Sequence, residues 1–349
     1  MKDRPPSSDS NGAEADAPGA GHAPGSARSL TRREALRLGV GALAAGTLAP
    51  GLLAGQGRTR AGLGLTGGAA ARSRELILKP IPASGEQIPV IGMGTWQTFM
   101  VEDREEELAP LREVLRSFVE MGGRVLDSSP MYDPAEEVAG RLAAELGVLD
   151  DLWVATKVWT EGREEGIRQM EQSMAELRRD RIELMQVHNL VDADVHLETL
   201  AEWREQGRFR YIGITNTSQQ RYPAMEALMD DERLDFIQVN YSLAERASAE
   251  RILPAARDRG LAVLVARPFA GGNLFPRVQD RDLPAWAAEF DIAAWSQFFL
   301  KYIVSHPAVT CAIPATSNPD HLRENMGACR GRLPDEATRR RMEEYLDSL

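Results

Sequence analysis

The feature that most constrains this chain is a recurrence of short apolar runs, each read as a strand, that alternate with stretches read as helices. The runs are Ile91–Thr95, Val125–Ser128, Leu152–Val158, Ile182–His188, Tyr211–Asn216, Phe236–Tyr241, Ala262–Ala266 and Thr310–Ala315. Glu105–Met121, Ala135–Leu146, Glu164–Leu177 and Leu197–Glu205 are among the intervening helices, each bounded by Gly, Pro, Asp or Asn. Strands separated by helices pair in parallel, because the chain must cross back before the next strand begins. Eight such units in about 250 residues match one closed (β/α)8, or TIM, barrel. The rival is an open doubly wound sheet, but no Gly-x-Gly-x-x-Gly turn follows an early strand. A hairpin of Leu76–Lys79 and Ile88–Ile91, turning at Ser84-Gly85-Glu86, is expected to cap the barrel's lower end. The helix Glu336–Leu346 is expected to pack outside as a C-terminal addition.

Ligands of parallel sheets gather at the carboxyl ends of the strands. Asp127, Tyr132, Lys157 and His188 all stand at or just beyond such ends. Singly, Asp127 reads as a helix N-cap, Tyr132 as a loop aromatic and His188 as a hydrogen-bonded structural histidine. Lys157 is harder to dismiss, because an ammonium buried without a partner is costly and calls for a carboxylate such as Asp127. Together they suggest one chemistry. A phenol is a poor acid at neutrality, a neighbouring ammonium stabilises its phenolate, a carboxylate holds the ammonium, and an imidazole orients a carbonyl oxygen. That set protonates a carbonyl while another agent delivers hydride.

At these positions the chain resembles the aldo-keto reductase superfamily. Asp127-Ser-Ser-Pro-Met-Tyr132 is similar to its Asp-x-x-x-x-Tyr segment, Ala155-Thr-Lys157 to its lysine strand and Gln186-Val-His188-Asn189 to its histidine strand. The resemblance runs from about Glu75 to Leu349 and keeps the family's order. It implies Tyr132 as general acid/base and NADP(H) as cofactor, with NAD(H) as the second candidate. Thr95 and Trp96 would approach the nicotinamide, and Thr215, Asn216 and Gln238 would bond its carboxamide, although Asn216 also suits a turn. Arg267 takes the place after the seventh strand where the family commonly stacks an aromatic, a role a guanidinium can fill. Thr316, His321, Glu324 and Asn325 match the segment that grips the adenosine end, where Ala315 and His321 replace a frequent Lys and Arg. Trp96, Met131, Trp159 and Asn189 would line the substrate pocket, with Phe99 near its rim. The loop Phe269–Pro284, containing Gly271-Gly272, is a candidate flap over the cofactor.

Residues 1–74 differ from the rest. The first 29 are rich in Pro, Gly, Ser and Ala and cannot build a core. Thr31-Arg32-Arg33-Glu34-Ala35-Leu36-Arg37 then leads into a Gly/Ala-rich apolar segment ending near Ala54. This layout resembles a twin-arginine (Tat) export signal, with the export machinery as partner and a periplasmic or other extracytoplasmic destination. Pro50 and several glycines disfavour the alternative of a stable membrane span. The division expected is therefore 1–74 signal and linker, 75–349 barrel. The net charge of -11 divides as +4 over the first 75 residues and -15 over the remainder, so the barrel is a poor nucleic-acid binder. Cys311 and Cys329 form no metal pattern, no metal is expected, and two packed thiols are favoured over a disulfide. The small-molecule partner expected is a carbonyl or alcohol. Rival readings are a nicotinamide-binding redox sensor without turnover, and a lyase forming a Schiff base on Lys157.

Overall fold

The computed structural model describes residues 75–349, and the segment expected to carry an export signal lies outside the described residues. The chain enters through an antiparallel hairpin, β1 (Leu78–Pro80) and β2 (Gln87–Pro89). Eight parallel strands follow: β3 (Met93–Gly94), β4 (Val125–Asp127), β5 (Trp153–Val158), β6 (Ile182–His188), β7 (Phe209–Asn216), β8 (Phe236–Asn240), β9 (Ala262–Ala266) and β10 (Cys311–Ala312). Each is hydrogen-bonded to its neighbour in the chain. The sheet closes on itself, since Gly92 N–H donates to the Ala312 carbonyl at 2.8 Å, Ala312 N–H to Val90 at 2.9 Å and Gly94 N–H to Pro314 at 3.1 Å. The expected (β/α)8 barrel with its capping hairpin is thus the observed fold.

Outside the strands lie α1 (Glu105–Glu120), α2 (Ala135–Leu146), α3 (Arg163–Glu176), α4 (Ala193–Glu205), α5 (Tyr222–Leu228), α6 (Ile252–Arg259), α7 (Trp295–Val304), α8 (Pro319–Gly327) and α9 (Glu336–Asp347). Their apolar faces and the outward residues of the strands form one continuous core, which Met342 and Leu346 of α9 join. The two strands at the seam, β3 and β10, are much shorter than expected. Gly92 and Gly94 weaken the first run, and Pro314 has no N–H to donate, so the seam rests on a few separate bonds. The helix α4 begins at Ala193 rather than Leu197, and its His196 Nε2 meets the Thr160 carbonyl at 2.7 Å.

The period of two along each strand decides what faces inward. Trp153, Leu184, Tyr211 and Phe236 fill the lower barrel, with ring centroids of Phe236 5.6 Å from Trp153 and 5.5 Å from Tyr211. Ile81 and Ile88 of the hairpin close this plug from below. Lys79 fixes the hairpin there by donating to the carbonyls of Val304 (2.7 Å), the last residue of α7, and of His306 (3.1 Å) and Val309 (2.6 Å) beyond it. Burial pushes its pKa down to about 8. Continuing the same inward alternation one layer higher brings up Lys157, Gln186, Gly213 and Gln238, which therefore form the floor of a site at the strands' carboxyl ends.

Candidate active site

On that floor Lys157 Nζ donates to Asp127 Oδ2 at 2.8 Å and to the Ser128 carbonyl at 2.5 Å. Both ionic side chains are at most 4% exposed. Burial disfavours the ammonium, but Asp127 and then Tyr132 outweigh it and hold Lys157 above its ordinary range. The ammonium lies 5.4 Å from the centroid of the Tyr132 ring. For Tyr132 burial is the larger effect and raises the phenol's pKa, while Lys157 draws it back down. The sequence-based expectation of a phenolate stabilised by its neighbour is therefore met only as the opposing influence. The His188 ring stands edge-on to Tyr132 at 5.9 Å, and its Nδ1 is 2.9 Å from Ser129 Oγ. Burial, then Lys157, pushes its pKa down to about 3, so the imidazole is neutral through the physiological range.

These four residues share the wall of a cavity of about 430 Å³. Thr95, Thr215 and Gln238 also line it, with the Thr95 hydroxyl donating to Ser128 Oγ at 2.9 Å, and so do Trp96, Met131 and Asn189. Arg267 lines it too, in a left-handed conformation (φ 52°), with Nη2 3.7 Å from Glu245 Oε1. Three expectations meet a different arrangement. Phe99 is fully buried in the core and not at the rim, because the turn after β3 folds it inward with its N–H on the Thr95 carbonyl. Trp159 stands apart from the cavity lining, half exposed, its ring 6.3 Å from that of His188. Asn216 closes a turn, donating through Nδ2 to the Ser218 carbonyl at 2.7 Å and accepting from Ser218 N–H at 3.3 Å, so its amide does not line the cavity.

The residues expected at the adenosine end follow directly on the cavity, since Ile313 and Ala315 line it and Thr316 comes next. Asn318 caps α8 by accepting from Asp320 N–H at 2.8 Å and His321 N–H at 3.5 Å. Thr316 Oγ1 accepts from Asn318 N–H at 3.1 Å, Glu324 accepts from Ser296 at 3.2 Å, and Asn325 is buried. The guanidinium of Arg323 pairs with Asp320 (2.8 Å) and Glu113 (3.1 Å). The candidate flap is anchored: the tilted rings of Phe269 and Phe275 meet with centroids 4.9 Å apart and line the cavity, and Arg277 donates to the Leu346 carbonyl at 2.9 Å.

Several contributors escaped the sequence reading. Ser129 sits in the Asp127–Tyr132 segment, and Gln186 lies two residues before His188 on the inward face, where alternation alone could have flagged it. Glu136, the second residue of α2, is buried against the hydroxyls of Thr156 and Ser173, the latter at 2.8 Å. Burial pushes its pKa up to about 7. Ionising it in the folded chain is thus unfavourable above the unfolded value of 4.5, an effect absent in acid and complete above about pH 7. Glu136→Gln should therefore melt like the wild type near pH 4.5 and be more stable at pH 8, by up to about 3 kcal/mol. Equal melting curves at pH 8 would show that the carboxylate is accommodated without cost.

A closed α/β barrel with a buried Asp–Lys pair, a phenol and a neutral imidazole around one cavity defines a class: barrel enzymes equipped to move a proton at a carbonyl oxygen. The model of the Aldo/keto reductase family matches residues 90–344, and the chain belongs to that family. It is 27% identical over 256 residues to methylglyoxal reductase YeaE of Escherichia coli (71% of this chain, 88% of the relative). It is 29% identical over 211 residues to aldo-keto reductase YhdN of Bacillus subtilis, covering 56% of this chain and 62% of that relative. A Klebsiella pneumoniae aldo/keto reductase solved with NADP and acetate superposes with a TM-score of 0.62 at 26% identity, covering 74% of this chain and 93% of that one.

Proposed function

We propose that the chain is an exported NADP(H)-dependent oxidoreductase that interconverts a carbonyl compound (aldehyde, ketone or sugar) and its alcohol. The observation that carries this reading is the buried Lys157–Asp127 pair beside Tyr132 and His188 on one cavity wall. The same wall suits the cofactor, because Thr215 and Gln238 offer hydrogen-bonding groups to a carboxamide at an otherwise largely apolar surface. Thr316, His321, Glu324 and Asn325 would hold the adenosine end. When bound, the nicotinamide supplies or accepts the hydride.

The chain's own groups handle the proton. Ser129 Oγ lies 2.9 Å from Nδ1, and in the tautomer that accepts there the neutral His188 ring carries its hydrogen on Nε2, free to donate to a carbonyl oxygen. Tyr132 delivers the proton to that oxygen in reduction and receives it in oxidation. Asp127 and the Ser128 carbonyl fix Lys157, whose charge offsets the phenolate left behind. A Schiff-base role for Lys157 is disfavoured, since a buried amine held protonated is no nucleophile.

The titration directions fix the expected pH dependence. The phenol's raised pKa keeps Tyr132 protonated at neutrality, and His188 at about 3 is uncharged throughout. kcat for reduction should be level from pH 6 to 9, whereas oxidation, which needs phenolate, should rise with pH. A reduction profile breaking near pH 6.5 would instead mean that His188 titrates in the working enzyme.

Cofactor choice follows from the cations at α8. With Arg323 engaged by carboxylates and Ala315 uncharged, the 2′-phosphate has few cationic partners. NADPH should be preferred over NADH by less than is usual for an Arg/Lys-lined phosphate site, and His321→Arg should widen the preference roughly tenfold. Titrating both cofactors into both proteins measures this, and a strong preference unchanged by His321→Arg would place the phosphate elsewhere. The function itself is tested by steady-state assay of residues 75–349 with both cofactors against methylglyoxal, aliphatic and aromatic aldehydes, ketones and aldoses. Cofactor binding without turnover across the panel would favour a sensing module.

A further inference from the structure

We infer that Gln186 is a positioning residue: a buried amide bridge across the barrel that ties the Asp127–Lys157 pair to Gln238, the amide on the cavity wall. The inference rests on the nicotinamide reading of the cavity and adds a residue to it. Gln186 lies on β6 and Gln238 on β8, with β7 between them. Gln186 Nε2 nevertheless donates to Gln238 Oε1 at 2.9 Å and reaches Asp127 Oδ1 at 3.5 Å. Gln238 Nε2 donates to Asp127 Oδ2 at 3.2 Å, the same oxygen that receives Lys157. The three side chains form a closed ring of contacts, all buried.

What permits the crossing is Gly213, the β7 residue in register with Gln186. A Cβ there would stand 3.0 Å from Gln186 Cγ and 3.1 Å from the Phe236 carbonyl oxygen. Without a side chain on β7 at this level, the Gln186 amide lies over the strand and meets its partner on the far side.

The arrangement determines how Gln238 faces the cavity. Its oxygen is taken by Gln186 and one N–H by Asp127, so one N–H remains to donate to a ligand. A free Gln side chain could turn either end outward, and Gln186 removes that choice. Packing alone does not account for a glutamine here. Its own Oε1 is buried without a hydrogen-bond partner, a deficit that an apolar Met of similar size would not carry.

The test measures cofactor binding by quenching of protein fluorescence, which needs no turnover, on wild type, Gln186→Met, Gln186→Asn and Gln238→Met, and on the Gln186→Met, Gln238→Met double variant. Gln186→Asn keeps the amide but is one methylene too short to span β7, so it serves if the Met variant fails to fold. Both single variants at 186 should weaken NADPH binding roughly five- to tenfold. If Gln186 acts through Gln238, the double variant should bind no more weakly than Gln238→Met alone. Losses that multiply in the double variant, or wild-type affinity in both 186 variants, would overturn the bridge while leaving the nicotinamide site intact. A wild-type chain that binds neither NADPH nor NADH would overturn both.

Discussion

Tyr132→Phe should bind the nicotinamide cofactor as the wild type does and lose roughly 10²–10⁴-fold in kcat. The ring and its edge-on contact with His188 are kept, and only the transferable proton is removed. The loss should therefore fall on the chemical step and leave cofactor affinity almost untouched. Lys157→Met should lose turnover on a similar scale for a different reason: the phenol is already biased towards its neutral form by burial, and Lys157 is the chief influence opposing that bias. It should also melt earlier, because Asp127 would then be a buried carboxylate without its cation. Single-turnover rates beside cofactor titrations separate the two effects. A Tyr132→Phe enzyme keeping even a tenth of wild-type kcat would remove Tyr132 from the acid role.

The second large effect concerns location. The Arg32→Lys, Arg33→Lys double variant should accumulate as an unprocessed cytoplasmic precursor, with almost none reaching the extracytoplasmic fraction. The charge is unchanged in that variant, so the loss would report the planar guanidinium pair read by the export receptor. Normal extracytoplasmic levels of the double variant would end the twin-arginine assignment. Activity of the purified barrel should be the same in both proteins, since both arginines precede it in the chain.

The barrel was legible because its strands carry two signals at once: apolar runs at regular intervals, and polar residues placed at their carboxyl ends. Trp153, Ala155 and Lys157 show why alternation is informative, since the first two belong to the plug and the third emerges one layer above it. Strand edges were less legible at the seam, where pairing depends on which backbone groups are free to donate. Asp127, Tyr132, Lys157 and His188 are legible because they are residue types whose chemistry interlocks. Contacts that need a third dimension are not. Asn216 looked equally suited to a ligand or a turn, and only the fold shows its amide closing on Ser218. Phe99 and Trp159 lie close in sequence to the cavity residues, but closeness in sequence says little about side-chain direction. Glu136 resembles any acidic residue in a first helical turn until its burial against Thr156 and Ser173 is seen. The pairing of Arg323 with two carboxylates, one of them on α1, likewise needs the fold to be seen.

The two thiols give the molecule a built-in reporter. Cys311, on β10 at the seam, and Cys329, just beyond α8, are the chain's only cysteines, and both are fully buried and unbonded to each other. Burial pushes Cys329 up to about 12 and Cys311 well above the ordinary thiol range, so neither is a ready nucleophile in the closed barrel. A soluble alkylating reagent therefore finds no reactive thiol until the structure parts, and Cys311 lies where the first and last strands are joined by a few separate bonds. The rate of alkylation becomes a clock for barrel opening, readable by mass on the unlabelled, unmutated chain.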